Sequence, residues 1–507
     1  MKMKIKIMNL DTGGKSIVII NEKDAMELGV HPLGKIVLKK GSTHVTVTVD
    51  TTKNFIKKGT VVVYSDVKNM MKLRNGDSVN AEPRQPLVSE VYIRKKTDNH
   101  ELNYAEFRSI VDDVISRNLN DLELASFVTA MHIHGLTINE SISMSRAMIA
   151  TGKKIKFPGT VVDKHSIGGV PGDKTSMIVV PIIAAAGLTI PKTSSRSITS
   201  PAGTADRMEI LAPVNLNISQ IKKVVNKAGG CLVWGGSVDL APADDLFIRI
   251  EHPLGLDPLL LPSVMSKKKS VGCKYLVIDI PTGPEAKIKS KAEAEKLADE
   301  FITIGKKLGI KVDCAITRGD QPVGYAIGPA LEAREALETI MNLKQHDTEG
   351  VVRPSDVLDK ATSVAGLLLS MVGKGNKKTA EQLVKNGKAE AALRKIIAAQ
   401  GGSAKINPRN IKVGPYNFSV KSKFNGVISA ISNNALVDIC RAAGTPQDRS
   451  AGILLNKKIN DSVKKGDILF TIYAEKSQKL DSAVKLAKSY EIYGILSGKR
   501  KMLVEKI

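Results

Sequence analysis

The chain has 507 residues, 42% hydrophobic and 25% charged, a globular composition too long for one core and suited to roughly two to four domains. No apolar run approaches the ~18 residues a membrane helix needs, so no helix is expected to span a membrane. A net charge of +24 would suit nucleic acid or small anions, but only 4% of residues are aromatic and no Lys/Arg block dominates, which favours small phosphorylated ligands and no nucleic acid.

Residues 1–84 read as all-β. The opening MKMKIKIMNL alternates Lys with apolar residues, as a strand with one charged face does and a signal peptide does not. Ile17 to Ile20, Lys35 to Lys39, Val45 to Val49 and Val61 to Tyr64 are β-branched runs separated by turn signals, and Asn75-Gly76 predicts a turn between two strands. The segment resembles a small double-psi β-barrel. Pro83 and Pro86 mark a linker. Helices follow: Asn120-Asp121-Leu122-Glu123 and Thr137-Ile138-Asn139-Glu140 carry capping-box spacing, and Gly135 stands where the intervening helix should stop. His132 and His134 lie two apart, which does not put them on one helix face, so they predict packing rather than a metal pair.

From Gly159 to Gly230, and again from Lys274 to about Gly402, strands alternate with helices in the α/β manner. The run Lys164-His165-Ser166-Ile167-Gly168-Gly169-Val170-Pro171-Gly172-Asp173-Lys174-Thr175-Ser176 joins a β-rich stretch to an apolar helical run beginning at Met177. Glycines allow close backbone approach, N–H groups at a helix start face an anion, and Lys and Ser complete a phosphate cradle. No GK[ST] follows a four-residue spacer, so the run is not an ATP-binding P-loop. A second anion loop spans Ser194 to Thr204, with four Ser, two Thr and Arg196 in eleven residues after the strand-like Leu188 to Lys192. Further on, Asp257 is a lone acid among five leucines, where burial would raise its pKa into the range of a general acid. Short strands around Ala451 to Leu454 and Lys465 to Thr471 predict a small α+β lobe at the end. The four cysteines (Cys231, Cys273, Cys314, Cys440) are scattered with no CxxC, which argues for a reducing cytoplasm and against a structural zinc.

The Lys164–Ser176 run resembles the phosphate signature K-x-S-x-G-G-x-G-D-K-x-S of the thymidine/pyrimidine nucleoside phosphorylase family, with Pro171 as one extra residue. The likeness continues from about Glu90 through Ser194 to Arg207, Leu240 to Lys268, Asp279 to Lys287 and Asn342 to Asp347. Where relatives carry R-G-x-G-x-T-G-G-T, only Arg196, Gly203 and Thr204 remain. That change, with the first 85 or so residues, points to the branch acting on nucleoside 5′-monophosphates, the AMP phosphorylases. The resemblance implies a multidomain α/β and α+β fold. With the barrel-like segment at 1–84, which carries none of the matched residues, read as an assembly domain, it places a helical lobe at 87–155 plus 240–272, an α/β phosphate-binding lobe at 156–239 plus 273–420, and the α+β lobe at 421–507.

It also implies a reaction: phosphorolysis of AMP, with CMP and UMP, by inorganic phosphate to free base and ribose 1,5-bisphosphate, without metal or organic cofactor, in a cytoplasmic homodimer assembling further through residues 1–84. Lys164, Ser166 and Ser194 match positions that hold inorganic phosphate, as does Thr204. Gly169 and Ser195, Arg196, Ser197, Ile198, Thr199 and Ser200 match positions that contact the nucleotide. Asp257 matches the donor of a proton to the leaving base, with His165 as a weaker alternative. Ser263 and Lys287 match further substrate contacts, Glu285 replaces a glycine near Lys287, and Leu246 replaces the tyrosine three residues before Arg249 in pyrimidine-specific members. The alternatives are a pyrimidine nucleoside phosphorylase and an RNA-binding protein led by the first 84 residues, where 15 Lys/Arg face 8 Asp/Glu.

Overall fold

The computed structural model describes residues 1–197, 200–341 and 356–496. The chain folds as two compact units, Met1–Thr151 with Pro242–Leu259, and Gly152–Ala241 with Leu260–Ile507. Among the described residues no helix is long and apolar enough to cross a membrane.

The first unit opens with six strands: β1 (Lys2–Ile7), β2 (Ile17–Asn21), β3 (Lys35–Lys40), β4 (Thr43–Thr52), β5 (Thr60–Val63) and β6 (Ser78–Pro83). They close into a barrel in the order β1-β5-β2-β4-β3-β6. Alternation dictates which face is dry: Met3 and Ile5 are buried, while Lys2, Lys4 and Lys6 point out. Closure leaves no free strand edge. The Asn75-Gly76 turn differs from expectation, because it leads from a helix, Ser65–Met71, into β6 and does not join two strands. Lys72, in the left-handed conformation, ends that helix first.

Four helices follow, Val88–Thr97, Tyr104–Ile115, Asp121–His134 and Ile138–Thr151, and Pro242–Leu254 joins them from later in the chain. Both sequence-predicted capping boxes form: Asn120 and Glu123 bond each other's backbone N–H, as do Thr137 and Glu140. Phe247 from the later segment meets Phe127, ring centres 6.1 Å apart, and Phe127 meets Phe107 at 6.3 Å. These aromatic contacts fasten the late helix to the early ones. His132 and His134 are exposed, His134 reaching the Thr97 carbonyl, so neither is a core residue.

The second unit is built on parallel strands: β7 (Val162–Ser166), β8 (Ile190–Ser194), β9 (Gly230–Trp234), β10 (Tyr275–Thr282) and β11 (Lys311–Arg318). The pairing runs β11-β10-β7 and β8-β9, and one parallel bridge, Val161↔Thr189, links the two groups. The helix Thr175–Ala185 is buried over most of its length, with Met177 to Ile183 fully enclosed, because strands and other helices cover it on every side. The remaining strands, β12 (Ala326–Ile327), β13 (Tyr416–Lys421), β14 (Gly426–Ile431), β15 (Gly452–Leu455), β16 (Ser462–Val463), β17 (Ile468–Ala474) and β18 (Tyr493–Leu496), form two small sheets. Their orders are β12-β15-β17-β13 and β16-β14-β18, so the C-terminal sheet takes an edge strand from mid-chain.

That mid-chain strand is tied to the phosphate-signature turn by a buried ion pair. Lys174 Nζ lies 2.6 Å from Glu335 Oε2 and donates to the Val323 carbonyl at 2.8 Å, while Glu335 accepts from the N–H groups of Tyr325 and Ala326. Gly172 is required beside it, since a Cβ would stand 2.6 Å from the Val323 oxygen at a φ of +76°. Lys174 is therefore a structural cation. Glu335→Ala should lower unfolding stability by about 3–5 kcal/mol, because it strands Lys174 without a partner. In denaturant titration the exposed pair Lys39–Glu82 serves as control: Glu82→Ala should cost less than about 1 kcal/mol, and equal losses would refute the assignment.

Candidate active site

Beyond the Val161↔Thr189 bridge, β7 and β8 part, and the ladder between them stops at the bond from Val162 N–H to the Thr189 carbonyl. Ligands in open α/β sheets settle where adjacent strands separate at their carboxyl ends. Lys164 lies in the middle of β7 and Ser166 ends it, Ser194 ends β8, and the helix Thr175–Ala185 starts after the glycine turn. Four elements thus converge where the sequence predicts an anion.

Lys164 is 1% exposed, and its Nζ stands 4.0 Å from Asp279 Oδ2, the outer limit of an ion pair. Burial lowers its pKa, against the pull of Asp173 and Asp279. Those two acids are engaged elsewhere. Lys360 Nζ lies 2.9 Å from Asp279 Oδ2 and 3.4 Å from Asp173 Oδ2, and Thr317 Oγ1 donates to Asp279 at 2.6 Å. Burial would raise the Asp173 pKa, but Lys360 and Lys164 together hold it well below the usual carboxylate range. The same two aspartates keep Lys360 charged against its own burial. The arrangement takes the acids' charge into Lys360 and leaves Lys164 at a distance, a buried cation suited to an incoming anion.

His165, the alternative acid, does not fit that role. Loss of water around the ring, with Lys192, Lys268, Lys164 and Lys267 nearby, pushes its pKa well below the usual value and keeps the imidazole neutral near pH 7. In the turn, Gly169 has φ +91°, and a Cβ would meet the Lys287 backbone nitrogen at 2.9 Å. Gly169 and Lys287, far apart in sequence, are therefore packed backbone to side-chain position. Glu285, two residues before Lys287, accepts from Ser432 Oγ and Asn434 N–H at the start of the helix Asn433–Ala442. The acid in place of a glycine is explained by that helix N-terminus.

In the second loop Arg196 is already occupied. Its guanidinium makes a two-pronged pair with Glu209 at 2.7 and 2.9 Å, reaches Asp206 at 3.2 Å and stacks over Trp234. Asp206 also receives the N–H groups of Ser197 and Gly203, so the loop is laced from beneath. Gly203 admits no side chain, with Arg196 and Ser195 backbone atoms 2.6–2.7 Å from where a Cβ would be. Ser195 is exposed, Ser194 and Thr204 half-buried, and Ser200 Oγ turns back to the Ala202 carbonyl. Ile198 and Thr199 lie outside the described residues, as does the Asn342 to Asp347 segment of the resemblance. Ser263 sits half-buried on the helix Leu260–Ser270, and Lys287 is exposed.

Asp257 belongs to the other unit, and the expectation of a buried carboxyl is wrong. It is exposed, in the turn that follows the helix Pro242–Leu254, while Leu259 is the residue that goes inside. Gly255, with φ +66°, turns the chain so that the leucines around Asp257 do not enclose it. In the same unit Arg249 is exposed, and a Cβ on Gly14 of the barrel would come within 3.4 Å of it.

Sequence reading missed Lys360, Lys192, Lys268 and Asp163, all buried. Lys360 had a signal: it falls on the apolar stripe Val357, Ala361, Val364, Ala365, Leu368, where a charge is out of place. Among the described residues no group of three or more His, Cys, Asp or Glu could hold a metal ion.

Comparison with known proteins gives three adjoining family matches: the glycosyl transferase family helical bundle domain over residues 90–152, its a/b domain over 158–390, and the pyrimidine nucleoside phosphorylase C-terminal domain over 427–493. The chain is 44% identical over 498 residues to the AMP phosphorylase of Pyrococcus furiosus, covering 97% of both chains. It is 41% identical to that of Thermofilum pendens, over 100% of this chain and 98% of the other. The AMP phosphorylase of Methanococcoides burtonii is 43% identical, over 100% and 99%.

Replacing Lys360 by Met would free Asp279 to close on Lys164 and compete with an anion. Calorimetric titration with inorganic phosphate should show affinity at least tenfold weaker in Lys360→Met. Wild-type affinity would show that the lysine does not shape the site.

Proposed function

The chain belongs to the AMP phosphorylase family, and from that membership we propose that it cleaves nucleoside 5′-monophosphates by phosphorolysis. Inorganic phosphate attacks C1′, the C1′–O bond forms as the C1′–N bond to the base breaks, and the products are free base and ribose 1,5-bisphosphate. The observation that carries this reading is Lys164, a buried cation held at 4.0 Å from its nearest acid, on the strand that leads into the glycine turn. Such a group stabilises negative charge far better than a surface lysine.

In this reading Lys164, Ser166 and Ser194 hold the attacking phosphate with Thr204, and the hydroxyl-rich loop from Ser195 to Ser200 takes the 5′-phosphate, with Gly169, Ser263 and Lys287 as further contacts. Arg196 serves as the frame of that loop, since its charge is met by Glu209 and Asp206. Asp257 gives its proton to the departing base. This role rests on the position it matches in the family, since its exposure removes the burial argument. The base range is AMP with CMP and UMP; Leu246 in place of a tyrosine removes a polar, bulky group on the base side. The enzyme works in the cytoplasm as a homodimer, and the barrel of residues 1–84 joins dimers into a larger assembly. Light scattering should give a smaller particle for a chain starting at Glu90; an unchanged mass would refute the barrel's assembly role.

The reaction is tested by free-base release from a panel of nucleosides and nucleotides, with and without inorganic phosphate. Release should need both phosphate and the 5′-phosphate of the substrate. Adenosine cleaved as well as AMP would sink the monophosphate reading. On the same panel Asp257→Asn should lower kcat about 10²-fold or more with the phosphate KM near wild type, the usual worth of a general acid. Near-normal turnover would leave Asp257 as a turn residue only.

A further inference from the structure

The peptide groups flanking Lys164 lie where the β7–β8 ladder has lapsed, so they need partners other than a neighbouring strand. They find them in buried side chains. The N–H of Lys164 donates to Asp163 Oδ1 at 2.7 Å, and its carbonyl accepts from Lys192 Nζ at 2.9 Å. Lys268 Nζ fixes the other oxygen of Asp163 at 2.6 Å. Lys192, Asp163 and Lys268 are respectively 3%, 0% and 2% exposed. A long, flexible, charged side chain placed in the dry gap between two strands is costly, and an apolar residue would fill the space without that cost. What an apolar residue could not supply is the donor to the Lys164 carbonyl.

We propose that Lys192 is a positioning residue for phosphate: its ammonium or amine group holds the Lys164 carbonyl, and with Asp163 and Lys268 it sets where the Lys164 side chain emerges toward the anion. The proposal rests on the phosphorolysis reading above, in which Lys164 grips inorganic phosphate. The role does not require Lys192 to be charged, since a neutral amine also donates; burial and the neighbouring Lys268 in fact push its pKa well below the usual lysine value. Lys192 acts through the Lys164 backbone, not on substrate. Phosphate binding should therefore depend on it, while nucleotide binding through the second loop should not.

The test uses the full-length enzyme and inorganic phosphate as the probe. Lys192→Met keeps length and volume and removes the donor. It should raise the phosphate KM and the calorimetric phosphate dissociation constant at least tenfold, with the KM for AMP within about twofold of wild type and the melting temperature little changed. An unchanged phosphate constant, or equal rises in both KM values, would overturn the assignment, the second showing general loosening of the site. If Lys192→Met does not fold, Lys192→Arg decides: it retains a donor, so phosphate affinity within about threefold of wild type supports the role and a folded protein weakened tenfold or more refutes it. Wild-type enzyme that binds no phosphate would instead bring down the phosphorolysis reading, and this proposal with it.

Discussion

A lysine ammonium out of water is the constraint on which the rest of this site depends. Lys164 loses most of its hydration within β7, and a buried charge survives only with opposite charge nearby. Yet a carboxylate in direct contact would consume the charge that a ligand needs. The structure resolves this by distance and by competition. Asp279 and Asp173 lie close enough to offset burial, and Lys360 draws them to itself. On the far side, Lys268 is paired with Asp163, and Lys192 faces a carbonyl. The lysines differ in their partners: Lys360 and Lys268 contact acids, Lys192 a carbonyl, and Lys164 stands 4.0 Å from Asp279.

Glycines decide how near the ligand can come, and here their necessity is steric. At Gly169 the obstruction is the Lys287 backbone, and at Gly203 it is the backbone of the same loop two turns earlier, Ser195 to Ser197. Neither obstruction is a flexible side-chain tip, so a Cβ at either place would move main chain. Gly203, inside the frame made by Arg196 and Asp206, could not change.

Much of this was legible in the sequence, where a local rule and the tertiary environment agree. The barrel strands, both capping boxes, the Gly135 stop and the strand–turn–helix around Lys164 all follow from periodicity or backbone chemistry acting over a few residues. The failures have one cause. Leucines flank Asp257 in sequence, but hydrophobic neighbours along a chain enclose a side chain only if the backbone folds back over it, and Gly255 turns it outward. His165 looked like an acid because it sits in the loop; burial, with Lys192, Lys268 and Lys267 from other segments and the adjacent Lys164, makes it neutral. Lys174, inside the phosphate-signature run, is the partner of Glu335, 161 residues away. Charges are read correctly from sequence only when their partners are local, and in this site few are.

The C-terminal lobe gains a reason from the same geometry. Its helix Asn433–Ala442 offers N-terminal groups to Glu285, and Asn433 Nδ2 donates to the Gly319 carbonyl at 3.0 Å. Gly319 is itself pressed against Ala286 and Val170 of the phosphate turn, 3.1–3.2 Å from where its Cβ would be. The contact path therefore runs from the helix through Glu285 and Gly319 to the segment carrying Lys287, and from Lys287 to Gly169. The steps are short: a charge on a helix terminus, a side-chain amide on a carbonyl, and glycine backbone against its neighbours. A lobe that contributes none of the residues matched to phosphate still bears on the shape of the turn that would hold it. Glu285 in place of a glycine is what makes that bearing strong: the glycine would have left the helix end to water and the Lys287 loop to set its own position.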